Sequence, residues 1–333
     1  MDIRHLKYFV RIVEAGSISR ASLSLHVAQP ALSKQVNQLE DELGVKLLAR
    51  SVRGVVPTEA GLAVFQHAQA VLKQIEATPS IASQAGGGVA GPVAIGLPWT
   101  IASMLGLSLF REVVESLPAV RLEITEGPSA AISQMLSQGK LDVAVVFSSA
   151  LHAALRVKPL VSESLLLVGA AGSLPGGKLR TLEQAARLPL LLMSRPNGIR
   201  EELERIWLEM AITPNVVADV NAPRLLVEGV QAGLGYGILP SCVFDRTLSS
   251  WQVDVAELTA DTPRRTVCLA TSMLFPISVA TQRVHDLLEG LMYRVVTEGR
   301  WDAQVLGSLT PGQSRGLTSS PALRQTFSPK AAP

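Results

Sequence analysis

The sequence predicts an α/β protein with a small, mainly helical N-terminal domain and a larger C-terminal domain of alternating strands and helices. In residues 17–61, SISRASLSLHVAQPALSKQVNQLEDELGVKLLARSVRGVVPTEAG, apolar residues recur every three or four positions, as in short helices. From Gly91 onward, short apolar runs alternate with longer helical patterns, which favours a mostly parallel sheet covered on both faces.

The N-terminal pattern predicts a helix-turn-helix behind which Ile3 to Val13 form a supporting helix. Ser17 is a suitable N-cap for the first helix of the motif, and Pro30 is suited to the first turn of the second. The second helix ends at Gly44 after an apolar stripe of Leu32, Val36, Leu39 and Leu43. Four residues near its start are expected to face a DNA major groove, namely Gln29, Pro30, Ser33 and Lys34.

Two short apolar runs around a basic turn follow the second helix. The segment VKLLARSVRGVVPT indicates a β-wing with Arg50 and Arg53 near its tip. Such arginines can contact phosphates or enter the minor groove, so both are candidate DNA-binding residues.

This N-terminal region resembles the DNA-binding domain of the LysR-type transcriptional regulators. The resemblance is carried by IRHLKYFVRIVEAGSISRAS, AQPALSKQVNQLEDELGVKLLAR and RGVVPTEAG, and it runs without a gap through roughly the first fifth of the chain. The segments HVAQPALS and RGVVPTEAG are most similar to those of the nitrogen assimilation control branch of the family. The resemblance implies a winged helix-turn-helix domain over residues 1–58.

Residues 59–90 are predicted to form a long linker helix followed by a Gly-rich hinge. Pro79 is expected to end or bend the helix. A solitary helix of this length leaves its apolar stripe uncovered unless a partner packs on it. The resemblance implies pairing with the same helix of a second subunit through Leu62, Phe65, Leu72 and Ile75. Packing of the helix on its own domain is the alternative.

The family resemblance extends more loosely to residues 91–298. It implies an effector-binding domain of two Rossmann-like subdomains, similar to type 2 periplasmic solute-binding proteins, which the chain crosses twice. Subdomain I would comprise residues 91–161 and 268–298, and subdomain II residues 162–267. The remaining residues, 299–333, are rich in Ser, Pro, Gly and Thr, and we expect them to be disordered.

Ligands of open α/β sheets bind beyond the carboxyl ends of the strands. This rule selects a set of candidate effector-binding residues, Trp99, Thr100, Ser129, Phe147, Arg195 and Asn197. Helix N-termini and a guanidinium at one cleft favour a small anion such as an organic carboxylate. Thr100 and Ser129 could instead be N-caps, and Arg195 a solvated loop cation. Trp99 either stacks on an aromatic effector or fills the cleft.

Composition and motif spacing argue against several other classes of protein. The net charge is only +2, so any DNA affinity depends on local placement of charge. The two cysteines cannot form a disulfide framework, and the sequence leaves open whether they pair. Charged N-terminal residues and the lack of a long apolar run predict a cytoplasmic protein without membrane contact.

We expect no catalytic residues, cofactor or metal site. The histidines lack metal-ligand spacing, and GSLPGGK at 172–178 has Leu179 where a phosphate-binding loop requires Ser or Thr. An enzyme would need a catalytic constellation, and an exported solute-binding protein would have no use for residues 17–61. The sequence therefore predicts a transcription regulator that binds a roughly palindromic promoter site as a homodimer or homotetramer and responds to a small effector. RNA polymerase is a further candidate partner.

Overall fold

The computed structural model of the chain describes residues 1–51, 54–84, 88–150, 152–174, 180–244, 251–259 and 264–306. These residues form a helical N-terminal domain, one long helix and an α/β domain containing two separate sheets. Among the described helices, none combines the length and the apolar character needed to cross a bilayer.

The N-terminal domain contains the predicted helix-turn-helix and wing. Its elements are α1 (Ile3–Ala15), α2 (Ile18–Leu25), α3 (Gln29–Leu43), β1 (Leu48–Ser51) and β2 (Gly54–Pro57). Ser17 caps α2 through its side chain, and Pro30 lies in the first turn of α3, as predicted. Phe9, Leu32 and Leu39 are fully buried between the helices.

The wing is fixed against the end of α1 by a close backbone approach. The amide of Val55 donates to the carbonyl of Gly16 over 3.0 Å. Gly54 has a φ of +124°, and a Cβ at this position would lie 2.4 Å from the Gly16 oxygen. Only glycine meets both conditions, because it tolerates positive φ and has no side chain.

The linker helix is longer than the sequence predicts. Helix α4 extends over Glu59–Gln84 and includes Pro79, so the helix does not end at this proline, and the bend expected there stays a prediction. Proline removes one backbone donor and its ring crowds the carbonyl four residues earlier, at a cost of about 3 kcal/mol, which the remaining contacts of this long helix offset. Of the predicted hinge, residues 85–87 lie outside the described residues, whereas Gly91 and Pro92 already belong to a strand.

The α/β domain contains two subdomains, each with its own sheet. The first is built from β3 (Gly91–Pro98), α5 (Trp99–Ser116), β4 (Val120–Gly127), α6 (Ser129–Ser137), β5 (Val143–Phe147) and β6 (Leu155–Glu163). The second is built from β7 (Leu165–Ala170), α7 (Leu182–Ala186), β8 (Leu190–Met193), α8 (Gly198–Glu209), β9 (Val216–Val220), α9 (Pro223–Gln231), β10 (Tyr236–Pro240) and β11 (Val253–Glu257). The chain returns to the first through β12 (Arg265–Ser272), α10 (Val279–Thr297) and β13 (Ala303–Val305).

The sheets are mixed rather than mostly parallel, which corrects the prediction from sequence. The strand orders are β13-β6-β12-β5-β3-β4 and β11-β7-β10-β8-β9. Strand β3 runs parallel to β4 and β5, whereas β12 is antiparallel to β5 and β6. Every antiparallel pair of these two sheets involves β6, β7 or β12, the strands next to the two crossings between the subdomains.

Part of the segment predicted to be disordered is ordered. Trp301 is only 1% exposed, and β13 pairs with β6 so that Ala303 lies opposite Glu163. The prediction of disorder is therefore wrong for residues 299–306, because one buried indole and a short strand outweigh the polar composition of the segment. Residues 307–333 lie outside the described residues.

Candidate nucleic-acid interface and ligand cleft

The start of α3 presents its polar side chains to solvent. Gln29, Pro30 and Lys34 are exposed and Ser33 is half-buried. The opposite side of the helix is held by the buried side chains of Leu32, Val36 and Leu39. A short helix fixed from behind, with polar groups at its exposed N-terminal end, has the geometry that a recognition helix needs to enter a major groove.

Helices α2 and α3 are joined at the exposed surface by Ser19 and Gln29. The hydroxyl of Ser19 donates to Oε1 of Gln29 over 3.1 Å. This contact restricts the rotamers of the Gln29 side chain while its amide NH₂ group remains able to donate. Sequence reasoning selected Gln29 but not Ser19, because the two residues meet only when the helices pack.

The wing is tied to α3 by Glu40, which sequence reasoning also missed. Its carboxylate is 5% exposed and accepts hydrogen bonds from the amides of Leu47 (2.9 Å) and Leu48 (3.1 Å) and from Nζ of Lys46 (2.6 Å). Burial raises the pKa of Glu40, but these three hydrogen bonds outweigh it and lower the pKa below its ordinary value. An acidic residue one turn after Val36 on the apolar stripe was the available signal.

The predicted wing arginines are described only in part. The backbone of Arg50 lies in β1, opposite Val55, whereas Arg53 lies outside the described residues.

The predicted dimerisation stripe of α4 divides between two environments. Leu62 and Ile75 are 49% and 38% exposed. Phe65 and Leu72 pack with buried Ala68 against the apolar cluster around Phe9 of α1. The helix therefore packs partly on its own domain and leaves the two outer residues of the stripe uncovered.

A cavity of about 400 Å³ lies between the two subdomains, at the carboxyl ends of β3, β4 and β5. Its volume is within the range of small-molecule sites. Five of the predicted residues line it, namely Trp99, Thr100, Ser129, Phe147 and Asn197. Three helices begin at its wall, α5 after Pro98, α6 after Pro128 and α8 after Asn197.

Thr100 and Ser129 do not cap the helices that begin beside them. Ser129 Oγ accepts a hydrogen bond from the amide of Phe147 over 3.0 Å, and Thr100 Oγ1 accepts one from Nη2 of Arg265 over 3.3 Å. Asn197 is the N-cap of α8, where its side chain accepts from the amides of Ile199 and Arg200. The N-cap alternative is thus wrong for Thr100 and Ser129, because prolines occupy the cap positions.

The prediction that Arg195 lines the cleft is wrong. The guanidinium pairs with Glu204, with Nη2 2.6 Å and Nε 2.8 Å from Oε2, and Arg195 is absent from the residues that line the cavity. A carboxylate two turns into α8 holds the arginine away from the cleft.

The cleft instead contains two arginines at the second crossing, Arg264 and Arg265. Arg265 stacks on the Phe147 ring at 3.8 Å from its centroid, and its Nε lies 2.6 Å from Oε1 of fully buried Glu163. Arg264 donates to the carbonyl and the hydroxyl of Ser162 and to the hydroxyl of Ser164. The charge of Arg265 is therefore compensated by a carboxylate, whereas these partners of Arg264 are neutral oxygens.

Both cysteines are buried free thiols. Burial raises the pKa of Cys268 to about 11, and burial together with the charge of Glu163 raises the pKa of Cys242 further. Since the thiolate is the reactive form, the raised pKa of each thiol favours its unreactive protonated form at neutral pH.

An exposed helix-turn-helix joined by a long helix to a two-subdomain domain with a cleft defines a DNA-binding transcription regulator with an effector-binding domain. Residues 3–62 match the family model for bacterial regulatory helix-turn-helix proteins of the lysR family, and residues 86–292 match that for the LysR substrate binding domain. The chain belongs to the LysR family.

Related proteins extend this result over most of the chain. The nitrogen assimilation regulatory protein nac of Klebsiella aerogenes is 32% identical over 90% of this chain and 98% of its own length. The DNA-binding transcriptional dual regulator OxyR of Escherichia coli K12 is 29% identical over 91% of this chain and 98% of its own length. A structure of full-length OxyR from Pseudomonas aeruginosa, 26% identical, superposes with a TM-score of 0.66 over 88% of this chain and 94% of that one.

Proposed function

We propose that this LysR-family regulator recognises a roughly palindromic promoter site by inserting the N-terminal half of α3 into the major groove. The observation that carries the proposal is the solvent-facing start of α3, where Gln29, Pro30 and Lys34 are exposed and Ser33 is half-buried, on a helix buried on its other side. Gln29 is the base reader, because a glutamine amide pairs bidentately with adenine. Lys34, Arg50 and Arg53 supply phosphate or minor-groove contacts and hence salt-dependent affinity.

A palindromic site requires two copies of the chain related by a two-fold axis. The uncovered residues Leu62 and Ile75 of α4 are the proposed contact, in a homodimer or as part of a homotetramer. The protein acts in the cytoplasm, binds RNA polymerase as a further partner and does not catalyse a reaction.

The cleft is proposed to bind a small anionic effector. Three helix N-termini and Arg264 point to negative charge, and Trp99 offers an aromatic surface beside them. Binding changes DNA recognition only if the effector has unequal affinity for the open and closed cleft. Similarity to the nitrogen assimilation regulator makes nitrogen supply the first growth condition in which to map the occupied promoters.

The test is a gel shift of the full chain on the DNA upstream of its own gene, repeated over a series of salt concentrations. The logarithm of the affinity should fall linearly with the logarithm of the salt concentration, with a slope proportional to the number of phosphates contacted. A DNase I footprint on the same DNA should show a protected region with two-fold symmetry. Absent binding at low salt, or binding that does not respond to salt, would refute the proposal.

A further inference from the structure

The linker helix and the regulatory domain are joined by Lys73. Its ammonium lies 2.6 Å from Oδ1 of Asp142, 2.9 Å from the carbonyl oxygen of Gly139 and 3.4 Å from that of Leu141. The ring of Phe275 covers the group at 5.4 Å from its centroid. A lysine ammonium has three donors, and this pocket offers three oxygens and an aromatic face.

The pocket is held by contacts that do not involve Lys73. Oδ2 of Asp142 accepts from the amide of Ala94 over 2.8 Å, and the amide of Asp142 donates to the carbonyl of Ala94 over 2.7 Å. Gly139 has a φ of +71°, and a Cβ there would lie 2.5 Å from the Phe275 ring. The carboxylate, the carbonyls and the ring are therefore preorganised for a cation.

The elements that form this pocket also reach the effector cleft. Strand β5 begins directly after Asp142 and ends at Phe147, which lines the cleft. Helix α6 begins at Ser129 in the cleft and ends just before Gly139. A displacement at one end of these short, packed elements is transmitted to the other, because a close-packed core does not deform continuously.

On its other side the linker helix is held by the DNA-binding domain. Leu72, the residue before Lys73, packs against the apolar cluster of α1, and Ala68 is fully buried there. Lys73 is the fifth residue after Ala68, a distance of about 7.5 Å along the helix axis. The DNA-binding domain and the regulatory domain thus contact the same two turns of the linker helix.

We propose that Lys73 and its pocket form an interdomain latch that fixes the angle between the regulatory domain and the DNA-binding domain. Movement of β5 and α6 at the cleft tightens or loosens the latch, and the angle between paired recognition helices changes with it. The contact itself goes beyond the proposed function, whereas its effect on bound DNA rests on that function.

The contact is tested without DNA by acetylating the full-length protein with N-hydroxysuccinimide acetate and following each lysine by peptide mass spectrometry. Lys140 is exposed and adjoins the pocket, so it serves as the internal reference. Lys73 should react severalfold more slowly than Lys140, and Asp142→Asn should remove most of that difference. Equal rates for the two lysines in the parent protein would overturn the latch.

The consequence for DNA is measured as the bend angle in circularly permuted fragments. Lys73→Met and Asp142→Asn should change the bend, Lys73→Arg should largely preserve it, and the matched control Lys140→Met should leave it unchanged. Folded Lys73→Met and Asp142→Asn proteins that bend DNA like the parent would refute the coupling. A parent protein that binds no DNA would refute the proposed function instead, and the acetylation result would still decide whether the latch exists.

Discussion

Glu163 and Arg265 form one buried ion pair that joins the two crossings between the subdomains. Strand β6 ends at Glu163 and β12 begins at Arg265, and Nε of the arginine lies 2.6 Å from Oε1 of the glutamate. The other oxygen of Glu163 accepts from the indole of Trp301 and from the amide of Cys242. One carboxylate therefore connects both subdomains and the C-terminal segment, at the hinge about which the cleft would open and close.

Removing the charge of Glu163 should destabilise the regulatory domain strongly. In Glu163→Gln the guanidinium of Arg265 is left buried without a counterion, and breaking a buried pair in this way costs about 3–5 kcal/mol. The free energy of unfolding in urea measures the loss. Glu183→Gln is the control, since its pair with Arg187 is exposed and contributes less than about 1 kcal/mol. Equal stability of the two variants would mean that the hinge pair is not formed.

The cleft arginines provide a matched pair of variants for effector binding. The midpoint temperature of thermal unfolding should rise in the presence of at least one of succinate, citrate and benzoate. At a hundredfold excess of the anion over its Kd, the stabilisation is about 2.7 kcal/mol. Arg264→Ala should lose the rise, whereas Arg195→Ala should retain it, because Arg195 is paired with Glu204 outside the cavity. The reverse order, or no response of the parent protein, would contradict an anion site here.

The contribution of Glu40 to the free energy of unfolding should depend on pH. Because the folded pKa of this carboxyl is depressed, its stabilisation is present above the ordinary value of 4.5 and is lost as the pH falls through the lower folded value. Glu40→Gln should therefore cost about 1–3 kcal/mol at pH 7 and progressively less below pH 4.5. Denaturant titrations across this pH range measure the difference, with exposed Asp41→Asn as control. A pH-independent difference would contradict the assignment.

The thiols should not respond to oxidants in the folded protein. Burial keeps Cys242 and Cys268 protonated at neutral pH, with the pKa of Cys268 at about 11. Titration with a chromogenic disulfide should detect almost no thiol in the native protein and both after unfolding in guanidinium. Peroxide treatment should leave DNA binding unchanged. Rapid reaction of either thiol in the native state would contradict this expectation.

Local patterns in the sequence were sufficient to predict most elements and most of the cleft. The helices of the N-terminal domain follow from apolar spacing, and Trp99, Ser129 and Phe147 follow from the rule that ligands bind beyond strand ends. Glu163, Arg265 and Trp301 could not be predicted in this way, since contacts over more than a hundred residues depend on how the chain crosses between sheets. Arg195 was misplaced for a different reason: the rule for strand ends places a residue near the cleft but does not give the direction of its side chain, and Glu204 of the following helix holds the guanidinium outside the cavity.

The most direct test of the account concerns base recognition by Gln29. Selection of binding sites from a random DNA library should give the parent protein an adenine preference at one position in each half-site. Gln29→Ala should lose the preference at that position alone, at a cost of about 1–3 kcal/mol on the best site. Gln38→Ala, an exposed glutamine farther along α3, should bind like the parent. If Gln29→Ala selects the same sequences as the parent, α3 does not read DNA as proposed.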